Sequence, residues 1–151
     1  MQKYTELKEL ANGSKELNLL IIEDNMEVRI NVKKMLSNIF NNHIDTAIDG
    51  LDGLEKYNNF FKTQHKFYDI VVSDISMPNM DGIELCKELK KLNSSQIIVI
   101  LSAHSEPKKL IELINLGISK FIQKPISSKN LVDVCTSILN LIKNRKINDT
   151  N

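Results

Sequence analysis

The sequence predicts a doubly wound α/β domain in which five parallel strands carry helices on both faces. From Leu17 onward, short apolar runs alternate five times with longer segments of helical period, the pattern of repeated βα units. Three runs, Leu19–Ile22, Ile70–Val72 and Ile97–Leu101, are continuously apolar, as strands covered on both faces must be. The other two, Ile44–Ile48 and Ser119–Gln123, mix polar with apolar residues and suit sheet edges. With the apolar runs central and the crossovers right-handed, the strand order is 2-1-3-4-5, the flavodoxin-like (βα)5 arrangement.

The elements follow in chain order. Residues 1–16 lie outside the repeat as an N-terminal extension, in which Tyr4, Leu7 and Leu10 line one face of a short helix ended by Gly13. Nothing in the sequence fixes where that helix docks. The domain proper is expected over residues 17–143. Val28, Val32, Met35, Leu36 and Ile39 form one helical stripe after the first strand. Leu51, Leu54 and Phe61 suggest the second helix, and Ile83, Leu85, Cys86 and Leu89 the third. Pro107 opens the fourth at its first turn. Leu131, Val134, Cys135, Ile138, Leu141 and Ile142 form the last stripe, with Ser127 or Ser128 as N-cap. Residues 144–151 read as a polar, frayed tail.

Composition excludes several function classes. The 151 residues are 42% hydrophobic and 26% charged, an ordinary globular balance that needs no metal or disulfide staple. A formal net charge of +1, with no block of like charges, gives no field for direct nucleic-acid binding. No apolar run approaches the ~20 residues that cross a bilayer, and Met1–Leu10 lacks a signal-peptide core, so a cytoplasmic protein without membrane contact is expected. Cys86 and Cys135 sit in helical apolar patterns without metal or redox spacing and read as small buried hydrophobes.

In an open parallel sheet, ligands bind beyond the carboxyl ends of the strands, where strand order reverses. Those ends carry Glu23-Asp24, Ser73-Asp74, Ser102-Ala103 and, after the fifth strand, Lys124-Pro125. Three carboxylates, a hydroxyl and an ammonium therefore meet in one cleft. Crowded carboxylates repel one another, and Mg²⁺, which takes oxygen ligands and keeps waters that a phosphoryl group can replace, is the natural counter-charge. Lys124 supplies a mobile point charge for the remaining carboxylate and for phosphate oxygens. Asp74, followed by the Met77-Pro78-Asn79-Met80-Asp81-Gly82 turn, is placed to act as a nucleophile toward phosphorus. Taken singly, each residue has a plainer role: Asp24-Asn25 as a helix N-cap, Ser102 as a strand-end hydroxyl, Phe121 as core, and His43, His65 and His104 as solvated surface. Their joint placement at strand ends is what points to chemistry.

These residues resemble the CheY-like receiver domain of two-component response regulators over about residues 17–143. The matching motifs are Leu20-Ile21-Ile22-Glu23-Asp24, Val71-Val72-Ser73-Asp74-Ile75-Ser76-Met77-Pro78-Asn79-Met80-Asp81-Gly82, Ser102-Ala103 and Phe121-Ile122-Gln123-Lys124-Pro125. Ala47-Ile48-Asp49-Gly50 is similar to the family's turn into the second helix, and Asp24, Asp74 and Lys124 are evenly spaced, 50 residues apart. The resemblance implies that Glu23, Asp24, Asp74 and the backbone carbonyl of Ser76 hold Mg²⁺. It implies that Asp74 accepts a phosphoryl group from a sensor histidine kinase or phosphotransfer protein. Lys124, Ser102 and the amide of Ala103 would bind the phosphoryl oxygens, and the Lys124-Pro125 bond would be cis. Ser102 and Phe121 would form the switch that alters the surface of helix four, strand five and helix five for a downstream protein target or output domain. A phosphorylation-dependent dimer is among the outcomes.

Two departures stand out: Glu23 replaces the commoner Asp, and Phe121 lacks a tyrosine hydroxyl. Ser76 and His104 occupy flanking positions that, in this family, influence how long the acyl phosphate survives. The resemblance implies a signalling module rather than an enzyme, one that assists only its own phosphorylation and dephosphorylation. An Asp-nucleophile phosphatase would need a second Asp at position 76, where the chain has Ser. A flavin protein of this fold would need a hydroxyl-rich loop where Glu23-Asp24-Asn25-Met26-Glu27 stands. The remaining rival is a phosphorylation-independent receiver acting only as a protein-binding module.

Overall fold

The computed structural model describes residues 5, 7, 9, 17–40, 43–103 and 105–149, with side chains described through Arg145. Five strands, β1 (Asn18–Ile22), β2 (His43–Ala47), β3 (Ile70–Asp74), β4 (Ile97–Ser102) and β5 (Lys120–Gln123), form one sheet in the order β2-β1-β3-β4-β5. Every pairing is parallel. The five connecting helices are α1 (Met26–Ile39), α2 (Gly50–Gln64), α3 (Gly82–Leu92), α4 (Pro107–Asn115) and α5 (Ser128–Asp149). This is the flavodoxin-like fold that the alternation predicts.

The two faces of the sheet are read directly from the two-residue period of its strands. Leu19, Ile21, Val72, Val99 and Leu101 point to one side and meet Val32 and Leu36 of α1 and Leu131 and Cys135 of α5. Leu20, Ile22, Val71, Ile98 and Ile100 point to the other and meet α2, α3 and α4. Because both faces are covered, β3 and β4 are buried along their whole length, whereas the edge strands β2 and β5 are only partly buried. Cys86 and Cys135 are free and buried, each thiol pushed up to about 12 by burial, in keeping with a packing role.

Helix starts follow local chemistry. Asn25, Asp49 and Asp81 each cap a helix, their side-chain oxygens accepting the N–H three residues on. Ser127 does the same for α5, accepting from Asn130, and Pro107 sits in the first turn of α4.

Three features depart from the sequence pattern. In α2 the buried face is Gly50, Gly53 and Tyr57, while Leu51 and Phe61 are exposed. The cause is close approach: a Cβ on Gly53 would lie 2.6 Å from Ile22 Cδ1, so the helix packs through its glycines. The expected polar tail from Asn144 is instead helical through Asp149, and the Arg145 guanidinium donates to the Ser95 carbonyl at 3.1 Å. Finally, Thr5, Leu7 and Glu9 are helical, and Leu7 is fully buried in the layer formed with α1 and α5. Tyr4, Leu10 and Gly13, the other members of that expected helix, lie outside the described residues, as do His104, Thr150 and Asn151.

Since Leu7 is fully enclosed, Leu7→Ala should leave a cavity and cost about 2–4 kcal/mol of unfolding free energy, measured by urea denaturation. A cost below about 0.5 kcal/mol, the range of ordinary surface substitutions, would show that the N-terminal segment is not part of the core.

Candidate functional site

The site is built by what happens immediately after β1 and β3. β1 stops at Ile22, and α1 begins only four residues later because Asn25 accepts the Val28 N–H at 3.0 Å. That tight turn leaves Glu23 sealed, with its N–H on the Ala47 carbonyl at 3.1 Å and its own carbonyl receiving the Arg29 guanidinium at 2.9 Å. Asp24, next in line, is exposed. On the neighbouring strand, Asp74 is the last residue of β3 and is buried, its Oδ1 accepting the Ile75 N–H at 2.8 Å. The loop after it folds back hard. A Cβ on Gly82 would sit 2.3 Å from the Asp74 carbonyl, so only glycine lets α3 start there.

Oxygens of Glu23, Asp24 and Asp74 all lie within 4.8 Å of one another. Lys124 follows β5 through a cis Lys124–Pro125 peptide and reaches across the end of the sheet. Its ammonium lies 2.7 Å from Glu23 Oε1 and 3.1 Å from Asp74 Oδ1. Ser102 ends β4, buried, with its carbonyl accepting the Lys124 N–H at 2.8 Å. Among the described residues its hydroxyl makes no hydrogen bond to Asp74. Ala103 follows it, half-buried, and Phe121 is half-buried against the α2–α4 layer.

Electrostatically the cluster is under-neutralised. Burial, reinforced by the neighbouring Asp74 and opposed by Lys124, pushes the Glu23 carboxyl up to about 8. Burial alone would lower the Lys124 ammonium, but the Glu23 and Asp74 carboxylates outweigh it and hold its pKa above the ordinary value. Glu23 Oε2 is buried with no hydrogen-bond partner. An orphaned carboxylate oxygen costs free energy unless something electropositive meets it. Three oxygen donors, one of them orphaned, suit a hard divalent cation such as Mg²⁺, which binds through carboxylates and retains water.

Several contributors were invisible in the sequence. The loop from Ile75 to Asp81 is fastened to the β2–α2 turn: the Asn79 amide donates to Asp49 Oδ2 at 2.7 Å, and the Gly50 N–H donates to the Met80 carbonyl at 3.1 Å. The Asp52 N–H, first, and the Asn79 amide, both donating to it, hold the Asp49 carboxyl below its usual value. Asn79 is left-handed, at φ 69°, a conformation asparagine tolerates better than most residues, so a hint existed. Arg29, by contrast, carried no signal in its spacing.

The chain matches the family model described as response regulator receiver domain over residues 19–136. It is 31% identical over 121 residues to the chemotaxis protein CheY of Treponema pallidum, covering 80% of this chain and 81% of that protein. It is 33% identical over 112 residues to the sensor protein EvgS of Escherichia coli O157:H7, covering 74% of this chain but only 9% of that protein. Among solved structures it is similar to a CheX–CheY–BeF3–Mg²⁺ complex from Borrelia burgdorferi, with a TM-score of 0.70 and 28% identity over 81% of this chain and 88% of that one.

The raised Glu23 carboxyl has a consequence for stability without divalent cation. A carboxyl that binds its proton more tightly folded than unfolded contributes stability at low pH, lost as pH rises from its ordinary value near 4.5 through about 8. In chelator, Glu23→Gln should therefore unfold at a higher temperature than wild type at pH 8.5, with the two converging near pH 5. A gap independent of pH would contradict the assignment.

Proposed function

This chain belongs to the response regulator receiver domain family, and from that premise we propose that it is a phosphoacceptor whose Asp74 takes a phosphoryl group from a sensor histidine kinase or phosphotransfer protein. The observation that carries the proposal is the Lys124 ammonium bridging Glu23 and Asp74 within an acidic trio that keeps an unpartnered carboxylate oxygen.

In this reading an Asp74 carboxylate oxygen attacks phosphorus, the P–N bond to the donor imidazole breaks, and the imidazole leaves with the electron pair and takes a proton. Most of the driving chemistry belongs to the donor; this chain positions and screens. Glu23, Asp24, Asp74 and the Ser76 carbonyl would hold Mg²⁺, which when bound offsets the carboxylate charge and offers coordination to phosphoryl oxygens. Lys124 moves from pairing two carboxylates to pairing a carboxylate and the phosphoryl group. Ser102 and the amide of Ala103 donate to the remaining oxygens. Ser102 makes no side-chain hydrogen bond to Asp74 among the described residues, and in this reading it moves to reach the new group as Phe121 turns inward. Phosphorylation then acts by population shift, favouring the arrangement in which Ser102 reaches the new group. The altered surface comprises α4, β5 and α5, read by a downstream protein target, an output domain or a second copy of the chain.

The unit carrying this function is residues 17–143. Among the described residues no helix is long and apolar enough to cross a membrane, and the proposed setting is cytoplasmic.

The test is phosphoryl uptake from acetyl phosphate, read by intact-protein mass. Wild type with Mg²⁺ should gain one phosphoryl group; removal of Mg²⁺ or Asp74→Asn should abolish the gain. Absence of uptake by wild type from both acetyl phosphate and a histidine kinase would favour the rival, in which the chain acts only by binding protein.

A further inference from the structure

The loop that follows Asp74 is tied down on both flanks, and the two ties differ in kind. On the β2 side it is fixed by Asn79 to Asp49 and by backbone, the Gly50 N–H donating to the Met80 carbonyl at 3.1 Å, with the segments so close that a Cβ at Gly50 would lie 2.3 Å from that carbonyl. On the β4 side the tie is three side chains. Lys109 Nζ donates to Ser76 Oγ at 3.0 Å, and the Ser76 hydroxyl in turn donates to Glu106 Oε2. A hydroxyl that accepts from a cation while donating to an anion is polarised in both directions, which strengthens each bond.

Glu106 occupies the N-cap position of α4 yet makes no side-chain capping bond there. Its carboxylate is committed across the loop to Ser76 instead. Ser76 stands two residues beyond Asp74, and Glu106 four beyond Ser102, so the contact spans the two segments that phosphorylation must bring into a new relation.

We propose that Glu106 is a positioning residue that acts through Ser76 as a latch, holding the β4–α4 connection in its unphosphorylated place and opposing the approach of Ser102 to Asp74. This rests on the phosphoacceptor reading of Asp74 and deepens it. Two physical effects make the latch specific to the unphosphorylated state. Residues 103–105 join Ser102 directly to Glu106, so drawing Ser102 toward Asp74 displaces Glu106 relative to a Ser76 whose loop is anchored at Asn79 and Met80. A phosphoryl group also adds negative charge beside Ser76, which repels the Glu106 carboxylate and attracts the Lys109 ammonium, pulling the three-residue chain apart. An interaction present in only one of two states biases the equilibrium by its own strength, so deleting it must favour the other state.

The test is the affinity for beryllofluoride, a phosphoryl mimic, in the presence of Mg²⁺, followed by titration of amide NMR signals around Ser102 and Phe121. Glu106→Ala should bind about two- to five-fold more tightly than wild type, the factor expected for one partly exposed charge-assisted hydrogen bond. Glu106→Gln, which keeps an acceptor but loses the charge, should fall between. In a Ser76→Ala background, Glu106→Ala should tighten binding clearly less than it does in wild type, because the hydrogen bond is gone and only the charge effect is left; a role for Glu106 that does not pass through Ser76 would leave the full effect intact. Affinity unchanged or weakened by Glu106→Ala, with wild type binding normally, would overturn the latch alone. Wild type that binds no beryllofluoride would overturn the phosphoacceptor reading and the latch with it.

Discussion

The constraint on which this molecule is organised is charge: three carboxylates within 4.8 Å of one another at the end of a parallel sheet, with one ammonium between two of them. Such a cluster opposes folding, since like charges repel and the two buried members, Glu23 and Asp74, lose their water. It persists because the sheet beneath over-determines it. β1 and β3 are neighbours in register, Ile22 beside Ser73, so their C-terminal acids emerge side by side. Both faces of those strands are filled with aliphatic side chains from α1 and α5 on one side and α2, α3 and α4 on the other. The repulsion is thus held in place by burial elsewhere, and it is relieved by whatever positive charge the cleft recruits.

Receptivity to phosphate is, on this view, a by-product of that imbalance. Lys124 satisfies one oxygen of Glu23 and one of Asp74 but cannot satisfy both acids fully. Burial and the neighbouring Asp74, opposed by Lys124, push the Glu23 carboxyl up to about 8. The loop beyond Asp74 then sets how the site communicates. Its β2 flank is locked by the Gly50–Met80 backbone contact, whereas its β4 flank rests on the polar side chains of Ser76, Glu106 and Lys109. In the proposed switch, movement would be expected toward α4, where the ties are exposed side-chain bonds rather than backbone ones.

The parts of this arrangement carried by chain-local chemistry were legible in the sequence. Continuous apolar runs identified β1, β3 and β4 as central, and strand order followed from which runs were mixed. Strand ends named Glu23, Asp24, Asp74, Ser102 and Lys124, and the structure gathers oxygens of the three acids within 4.8 Å of one another, with Lys124 on Glu23 and Asp74. What stayed hidden depends on distances between elements. Leu51 and Phe61 look like a buried stripe, but the buried face of α2 is Gly50, Gly53 and Tyr57, with Gly53 pressed against Ile22 of β1 and Gly50 against Met80. The docking of Leu7 and the extra turns of α5 rest on partners far away in sequence, as do the contacts of Asn79 with Asp49 and of Ser76 with Glu106. A polar residue in a loop gives no sign of which other loop it will meet.

The most direct test of the central claim is calorimetric titration of Mg²⁺ into the protein near pH 7, repeated in two buffers of different ionisation enthalpy. Charge relief by a single cation predicts one ion bound per chain, with protons released as Glu23 is forced to ionise, and loss of the binding heat in Asp24→Asn. Heat that never saturates, or a binding curve that Asp24→Asn leaves unaltered, would contradict it.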